Sequence, residues 1–146
     1  MKFTLFIDKD REEEVCVYAH EESPTTKKLE EIAKGNDTGL RELVGYKNDG
    51  IIVFDVDSVY CFYLEGGKLY AMLATDRVHI KKRLYEIEEM LPEGFVKINQ
   101  SAIANISKIE RFGVSIGASM TVIYKNGHRD YISRRQLKHV KERIGI

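Results

Sequence analysis

The sequence predicts an α+β domain that is predominantly antiparallel β. Short runs of alternating apolar and polar residues are separated by tight-turn signals at Asn48-Asp49-Gly50, Gly66-Gly67 and Asn126-Gly127, a pattern typical of β-hairpins. Only three segments have helical spacing, so the helices are expected to flank the strands. The regular strand–helix alternation of a doubly wound nucleotide-binding fold is missing.

Residues 1–39 are predicted to form a ββα extension. Residues 2–8 and 14–19 alternate as the two strands of a hairpin would. Ser23 and Pro24 then supply the cap and a first-turn residue of a helix. Residues 35–39, which read GNDTG, end that helix and form the best candidate for a domain boundary.

Residues 40–146 are predicted to form the main domain. One helix covers residues 81–91 and stops before Pro92, and a second covers residues 134–143 with Ser133 as its cap. Residues 99–105 are predicted to be a connection with room for one helical turn. Strands are predicted at 43–47, 51–54, 59–65, 68–74, 77–80, 95–98, 108–116, 119–124 and 128–132.

Length and composition fit one globular domain with a small appendage, because the chain has 146 residues, 43% of them hydrophobic and 32% charged. No apolar run approaches the length of a membrane span, and the N-terminus does not resemble a signal peptide. We therefore expect a cytoplasmic protein. The cysteines, Cys16 and Cys61, lie in alternating apolar segments, so both are predicted to be strand or core residues.

The zero net charge hides a strong gradient along the chain. Residues 1–67 carry 8 Lys/Arg against 15 Asp/Glu, whereas residues 97–146 carry 10 against 3. Segregation of this kind allows one end of a neutral protein to bind a polyanion. The alternative is a solvated helix face with no ligand.

No catalytic or metal-binding set is evident, so we predict that the protein is not an enzyme and needs no cofactor. The four histidines have no ligand spacing among themselves. Asp55 and Asp57 could hold a hard cation, but a turn before a strand explains them better. Ser101 has no His and Asp companions in a readable arrangement.

The basic segment contains two candidate nucleic-acid contacts. Ser133 can cap a helix whose first turn presents Arg134 and Arg135, and a helix N-terminus offers free N–H groups to a phosphate. Arginine can also bind guanine O6 and N7 in a bidentate way. The amides of Asn99 and Gln100 suit adenine or phosphate. The alternative is a solvated helix start and an ordinary polar loop.

An aromatic strand offers a different possibility. Tyr60, Phe62 and Tyr63, with Tyr70 opposite, could stack single-stranded bases if they were exposed on a sheet. Cross-strand packing within a core is the preferred interpretation. The less favoured possibility of exposed aromatic residues gives a third functional hypothesis, a small protein that binds single-stranded RNA.

Three motifs in a fixed order resemble the LytTR DNA-binding domain. They read FVKINQSAIANISKIERF, TVIYKNGHRDY and YISRRQLKHVKERIGI, and the upstream stretch VYCFYLEGGKLYAMLATDRVHIKKRLYEIEEML fits the strand–hairpin–helix segment that leads into the domain. The resemblance covers residues 43–146. It implies a bacterial transcription regulator with an elongated, mainly antiparallel β fold that places loops in successive major grooves of duplex DNA.

The resemblance implies base contacts at a hairpin tip near Gly67 and Lys68, at the connection after the F-V-x-I strand, and at the start of the last helix. Lys138 lies one turn further along that helix and can hold a neighbouring phosphate. The complete set of predicted DNA contacts is Lys68, Lys97, Asn99, Gln100, Ser101, Ser133, Arg134, Arg135 and Lys138.

The chain departs from the family pattern in two ways. The family usually has His-Arg-Ser where this chain has Asn99-Gln100-Ser101, so a cation is lost and the DNA preference is expected to differ. Residues 1–39 are too few for the receiver domain that often precedes the family's DNA-binding domain. We expect a stand-alone regulator whose extension mediates homodimerisation, docks a regulatory protein, or only covers a sheet edge. The alternative function is an interaction module without DNA binding that pairs with a related regulator or a membrane sensor.

Overall fold

The structure, a computed structural model, describes residues 1–35, 40–114 and 119–146. The chain divides into two compact units, Met1–Asp37 and Thr38–Ile146. Each unit is described by itself below.

Among residues 1–35, the first unit has one helix, α1, at Pro24–Ala33. Its start is a reciprocal capping box: the Ser23 side chain accepts from the Thr26 N–H at 3.2 Å, and the Ser23 N–H donates to the Thr26 hydroxyl at 2.9 Å. The predicted serine cap and first-turn proline are therefore confirmed. An exchange of this kind satisfies two N–H groups that the start of a helix would otherwise leave unpaired.

The predicted hairpin in residues 2–19 is wrong. A turn is present at Lys9 and Asp10, but the segments on either side of it form no strand within residues 1–35. Phe3, Phe6 and Ile7 are each at least 85% exposed. An isolated two-stranded hairpin is only marginally stable when it has no apolar face to bury, which is the physical reason that the alternation alone was a poor guide.

In residues 40–114 and 119–146, the second unit contains ten strands and two α-helices. The helices are α2 at Leu84–Met90 and α3 at Arg134–Ile144. The strands are β1 Glu42–Lys47, β2 Gly50–Asp55, β3 Cys61–Glu65, β4 Lys68–Met72, β5 Arg77–Ile80, β6 Phe95–Asn99, β7 Ala102–Asn105, β8 Ile109–Val114, β9 Met120–Tyr124 and β10 Arg129–Ile132.

Two antiparallel sheets are formed by these strands. The larger has seven strands in the order β2-β1-β5-β4-β3-β7-β6, and the smaller has the order β10-β9-β8. The turn residues explain the tight hairpins, because Asn48 and Asp49 have φ of 48° and 64°, and Gly66 and Gly67 have φ of 58° and 77°. Two consecutive residues with positive φ form the turn that matches the twist of paired strands.

The larger sheet buries both of its faces over part of its area. Against one face packs α2, with a core that includes Phe62, Ile80 and Ile87. Against the other face, at the β3-β7-β6 end, pack the smaller sheet and α3, with a core that includes Ile98, Tyr124 and Val140. The fold is therefore mostly antiparallel β with flanking helices, as the sequence predicts.

The segment after β6 differs from its prediction. Residues 99–105 were expected to form a connection, but Gln100 and Ser101 make a two-residue turn and β7 begins at Ala102. Strand β7 lies between β3 and β6 and is buried along its whole length. The predicted strand at 108–116 is β8, which is described as far as Val114, and the predicted turn at Gly117 lies outside the described residues.

The two cysteines lie in different settings. Cys61 is fully buried in the core between the larger sheet and the smaller sheet with α3, where burial raises the pKa of its thiol to about 12. Cys16 is exposed, so the prediction of a core or strand position is wrong for it. Both thiols are free. Among the residues described, no helix is long and apolar enough to cross a membrane.

Candidate nucleic-acid interface

The buried side chain of Asn99 supports the turn between β6 and β7. The Asn99 side chain is only 1% exposed, and its amide donates to the Tyr131 carbonyl at 2.9 Å and to the Asp130 carboxylate at 3.2 Å. Its Oδ1 accepts from the Ser101 N–H at 2.8 Å. The amide is thus used inside the protein, whereas the next side chain, Gln100, is exposed. This geometry favours a positioning role for Asn99 over the predicted base contact.

The β3–β4 hairpin lies directly beside this turn. The Leu64 N–H donates to the Ser101 carbonyl at 2.9 Å, so the end of β3 is tied to the turn. The hairpin continues to Gly66 and Gly67 and returns at Lys68, which is exposed and pairs with Glu65 across the hairpin. The glycine turn therefore presents Lys68 at the same end of the sheet as Ser101.

The start of α3 lies on the other side of the same turn. The Ser133 N–H donates to the Ile98 carbonyl at 2.9 Å, which ties the first residue before the helix to β6. The Ser133 hydroxyl caps the helix by accepting from the Gln136 N–H at 3.4 Å. Arg134 and Arg135 follow, and both are exposed.

These three elements meet at one end of the sheet. We call residues 66–68, 100–101 and 133–135 the polar rim. The turn at 100–101 is its centre, because one hydrogen bond joins Ser101 to Leu64 in β3 and another joins Ile98 in β6 to Ser133. Residues far apart in the sequence are thereby brought into one exposed, basic surface.

The first turn of α3 has an unusual electrostatic character. It contains two arginines and no acidic residue, although the partial positive charge of a helix N-terminus favours anions and disfavours cations. Within residues 1–35, 40–114 and 119–146, no carboxylate lies within ion-pair distance of Arg134 or Arg135. A bound DNA phosphate, which carries one negative charge, would offset part of this positive charge and accept from the first N–H groups of the helix.

Two further predicted contacts have different surroundings. Lys138 is exposed one turn along α3 from the rim. Lys97 instead has its ammonium 3.8 Å from the Glu88 carboxylate. It lines a cavity of about 560 Å³ between α2 and α3, together with Gln136 and His139. Lys97 is therefore not part of the polar rim.

Sequence reasoning missed Asp130 and Tyr131 as the partners of Asn99. These residues are 31 and 32 positions away in the chain, and no local pattern links them. It also missed Asn105, whose amide donates to the Val59 carbonyl at 2.8 Å and whose Oδ1 accepts from the Ser107 N–H at 3.1 Å. Both asparagines support the turns that follow them, because an Asx side chain readily bonds the backbone two residues on.

The aromatic strand packs internally. Phe62 is fully buried and lies 5.9 Å from the ring of Phe95, so it cannot stack a base as the single-strand RNA hypothesis requires. Tyr63 pairs with Tyr70 across the hairpin, with 5.8 Å between ring centroids. The preferred prediction of cross-strand packing is confirmed for this pair.

One family model, described as the LytTr DNA-binding domain, matches residues 49–145 of this chain. A solved LytTr DNA-binding domain of a putative methyl-accepting/DNA response regulator from Bacillus cereus has a similar fold, with a TM-score of 0.70 and 21% sequence identity. The match covers 74% of this chain and all of that one.

Two relatives from Staphylococcus aureus are similar over the full length. An uncharacterized HTH-type transcriptional regulator of strain MSSA476 is 31% identical, and one of strain NCTC 8325 is 30% identical; each match covers all of this chain and 99% of the relative. In the described part of this chain, the helices are separated by strands, so no two of them form a helix-turn-helix pair. The family match over most of the second unit shows that this chain belongs to the LytTR DNA-binding domain family.

Proposed function

We propose that the protein is a sequence-specific transcription regulator that binds duplex DNA through the polar rim. The observation that carries the proposal is the pair Arg134 and Arg135 in a first helical turn with no acidic residue, next to a turn that exposes Gln100. The family is a DNA-binding one rather than an enzyme class. The names of the relatives, which are transcriptional regulators, support the same proposal.

The roles of the rim residues follow from their chemistry. An exposed arginine can bind the O6 and N7 atoms of guanine, and an exposed glutamine amide can bind adenine. We therefore assign base contacts to Arg135, Arg134 and Gln100. Lys68 and Lys138 are assigned to phosphates, because an ammonium group is a point charge without the planar fork of arginine. The serines of the rim can offer hydroxyl groups beside them, because the Ser101 N–H and carbonyl and the Ser133 N–H are already bonded within the protein.

Alanine variants of α3 test this assignment. On a duplex selected from a random pool, Arg135→Ala is expected to weaken binding by about 1–3 kcal/mol, the usual value of one good base contact. Lys138→Ala is expected to weaken binding to all duplexes alike. It is also expected to reduce the magnitude of the slope of log K against log[salt] by about 1. Affinities are measured by fluorescence anisotropy at several salt concentrations.

Lys141→Ala is the matched control, because Lys141 is an exposed cation in the last turn of the same helix. It removes the same charge as Lys138→Ala at a greater distance from the rim. If Arg135→Ala and Lys138→Ala bind the selected duplex as the parent protein does, the assignment of α3 fails. If no duplex is bound at any salt concentration, the interaction module becomes the better account.

We also propose that residues 1–39 contact another protein chain, either a second copy or a regulatory partner. The support is the number of large apolar side chains that the first unit leaves exposed. They are Phe3, Leu5, Phe6, Ile7, Val15, Val17, Tyr18 and Ile32. An apolar surface of this extent on a small segment is characteristic of an interaction site. A regulator of this kind would act in the bacterial cytoplasm.

A further inference from the structure

Strand β2 is an edge strand with unusually little protection. It ends the larger sheet, and its interior reads Ile51-Ile52-Val53-Phe54 with no charge between Gly50 and Asp55. Its six pairs with β1 run without a register shift. Natural proteins normally interrupt such an edge with charges, proline or a bulge, because its free N–H and C=O groups can pair with another strand.

The other three edge strands of the described sheets do carry such devices. Strand β6 contains Lys97 and a register shift between Lys97 and Asn99, and the residue before α3 donates to its Ile98 carbonyl. Strand β8 contains Glu110 and Arg111 with a register irregularity. Strand β10 contains two charged residues, and the Asn99 amide donates to the carbonyl of Tyr131 in this strand. The contrast sets β2 apart.

The hairpin geometry shows which groups of β2 point outwards. The turn at Asn48 and Asp49 has two residues with positive φ, so the closing pair Lys47 and Gly50 is hydrogen-bonded. Hydrogen-bonded and non-hydrogen-bonded pairs then alternate along the two strands. Ile51 and Val53 belong to non-hydrogen-bonded pairs, so their N–H and C=O groups point away from β1. No hydrogen bond to these outward groups is made by the residues that the structure describes.

The same two residues also expose their side chains. Ile51 is 70% exposed and Val53 is 61% exposed, and both lie on the face of the sheet that carries Val44, which is 47% exposed. The edge therefore combines unpaired backbone groups with β-branched side chains on one face. A strand added to this edge would form hydrogen bonds with the unpaired backbone groups and cover part of the β-branched side chains.

We propose that β2 pairs antiparallel with β2 of a second copy of this chain. In the register that places Ile51 opposite Val53 of the second copy, both outward pairs form main-chain hydrogen bonds and Ile52 lies on the two-fold axis. The interface is self-complementary, as a two-fold dimer requires. It places β-branched residues opposite each other, which are favourable cross-strand pairs.

This dimer has a consequence for DNA that rests on the proposed function. Strands β2 and β3 run in the same direction, since four antiparallel pairings separate them, and the polar rim lies at the end where β3 finishes. Antiparallel pairing of β2 reverses that direction in the second copy. The two rims then point in roughly opposite directions, so the dimer holds two separate duplex segments.

The test uses the full chain without DNA, so that its result does not depend on DNA binding. Val53→Pro removes an outward N–H without removing a bond to β1, a position where edge strands tolerate proline. Ile51→Lys places a charge on the edge. Both variants are expected to raise the dimer dissociation constant by about tenfold or more in sedimentation equilibrium. Val114→Lys, an exposed valine on β8, is the matched control and is expected to leave the constant unchanged.

A distance measurement identifies the surface in contact. A spin label at Asp49→Cys, with exposed Cys16 changed to serine, is expected to give an intermolecular distance of about 20 Å, because about six residues of strand separate the two labels in the proposed register. A chain that stays monomeric at all concentrations would overturn the proposal. So would a dimer that Val53→Pro and Ile51→Lys leave intact, which would place the contact elsewhere, for example in residues 1–39.

Discussion

Asn99 shows how one buried residue can set the position of an exposed one. Its side chain connects the end of β6 to Tyr131 and to the Ser101 N–H. The turn that exposes Gln100 is therefore fixed by an amide that is buried from solvent. Asn99 therefore supports the turn, and a DNA contact is proposed for Gln100 rather than for Asn99.

Two single substitutions separate these roles. Asn99→Ala leaves the Ser101 N–H and the Tyr131 carbonyl without their partner, so we expect it to lower the free energy of unfolding by about 1–3 kcal/mol. Gln100→Ala is an exposed change and is expected to alter that free energy by less than about 0.5 kcal/mol. Chemical denaturation measures both, and both variants are expected to weaken DNA binding. A stable Asn99→Ala variant would argue against the supporting role.

The sequence predicts which residue types lie at or near the polar rim, but not which of them are exposed and which support the turn from the interior. Arg134, Arg135 and Lys138 lie in an amphipathic segment behind a serine cap, and local spacing predicts that they are exposed. Asn99 and Gln100 look alike in the sequence. Only the contact with residues 130 and 131, more than 30 positions away, decides that the first is buried.

Gly45 marks a close approach between two strands of the larger sheet. It lies in β1, and a Cβ built there would be 2.7 Å from Val78 Cγ2 and 3.1 Å from the Phe54 ring. Val78 and Phe54 are both buried in the first core. Because neither can move into solvent, an added methyl group must displace packed side chains.

We therefore expect Gly45→Ala to destabilise the protein by about 1–3 kcal/mol, the usual range for overpacking. Gly113→Ala is the matched control. It is also a strand glycine, but its added Cβ would meet neighbours at 3.7 Å, which is ordinary contact. Thermal or urea unfolding of the two variants compares them directly. Equal effects would show that strand glycine content, rather than the contact with Val78, determines the loss.

At the level of elements, turn chemistry was the best guide. Asn48-Asp49-Gly50 and Gly66-Gly67 correctly located two hairpins, because residues that accept positive φ are few. The turn at Gln100 and Ser101 carries no such signal, so β7 was missed. Residues 2–19 show the opposite error, since their alternation is strand-like but no partner strand is present in the described part of the first unit.

Charge is divided between the two parts of the whole molecule. Residues 1–39 carry 6 Lys/Arg against 10 Asp/Glu, so residues 40–146 carry 17 against 13. The acidic extension lowers the overall attraction of the protein to a polyanion, even though the polar rim is basic. Long-range attraction of this kind depends on net charge and is screened by salt.

Neutralising four acids of the extension tests this effect without removing any structure. Glu12, Glu13, Glu21 and Glu22 are all exposed, and changing these four to glutamine raises the net charge from 0 to +4. We expect several-fold tighter binding to a random duplex at low salt, and no difference once the screening length falls to about 3 Å near 1 M salt.

Deletion of residues 1–39 removes 6 positive and 10 negative charges, so it gives the same net charge of +4 and provides the comparison. If charge alone is responsible, the deletion and the four-glutamine variant bind random duplexes equally at every salt concentration. If the extension also contacts another chain, only the deletion changes the oligomeric state seen by sedimentation. A glutamine variant that binds as the parent does at low salt would show that the extension's charge has no part in DNA affinity.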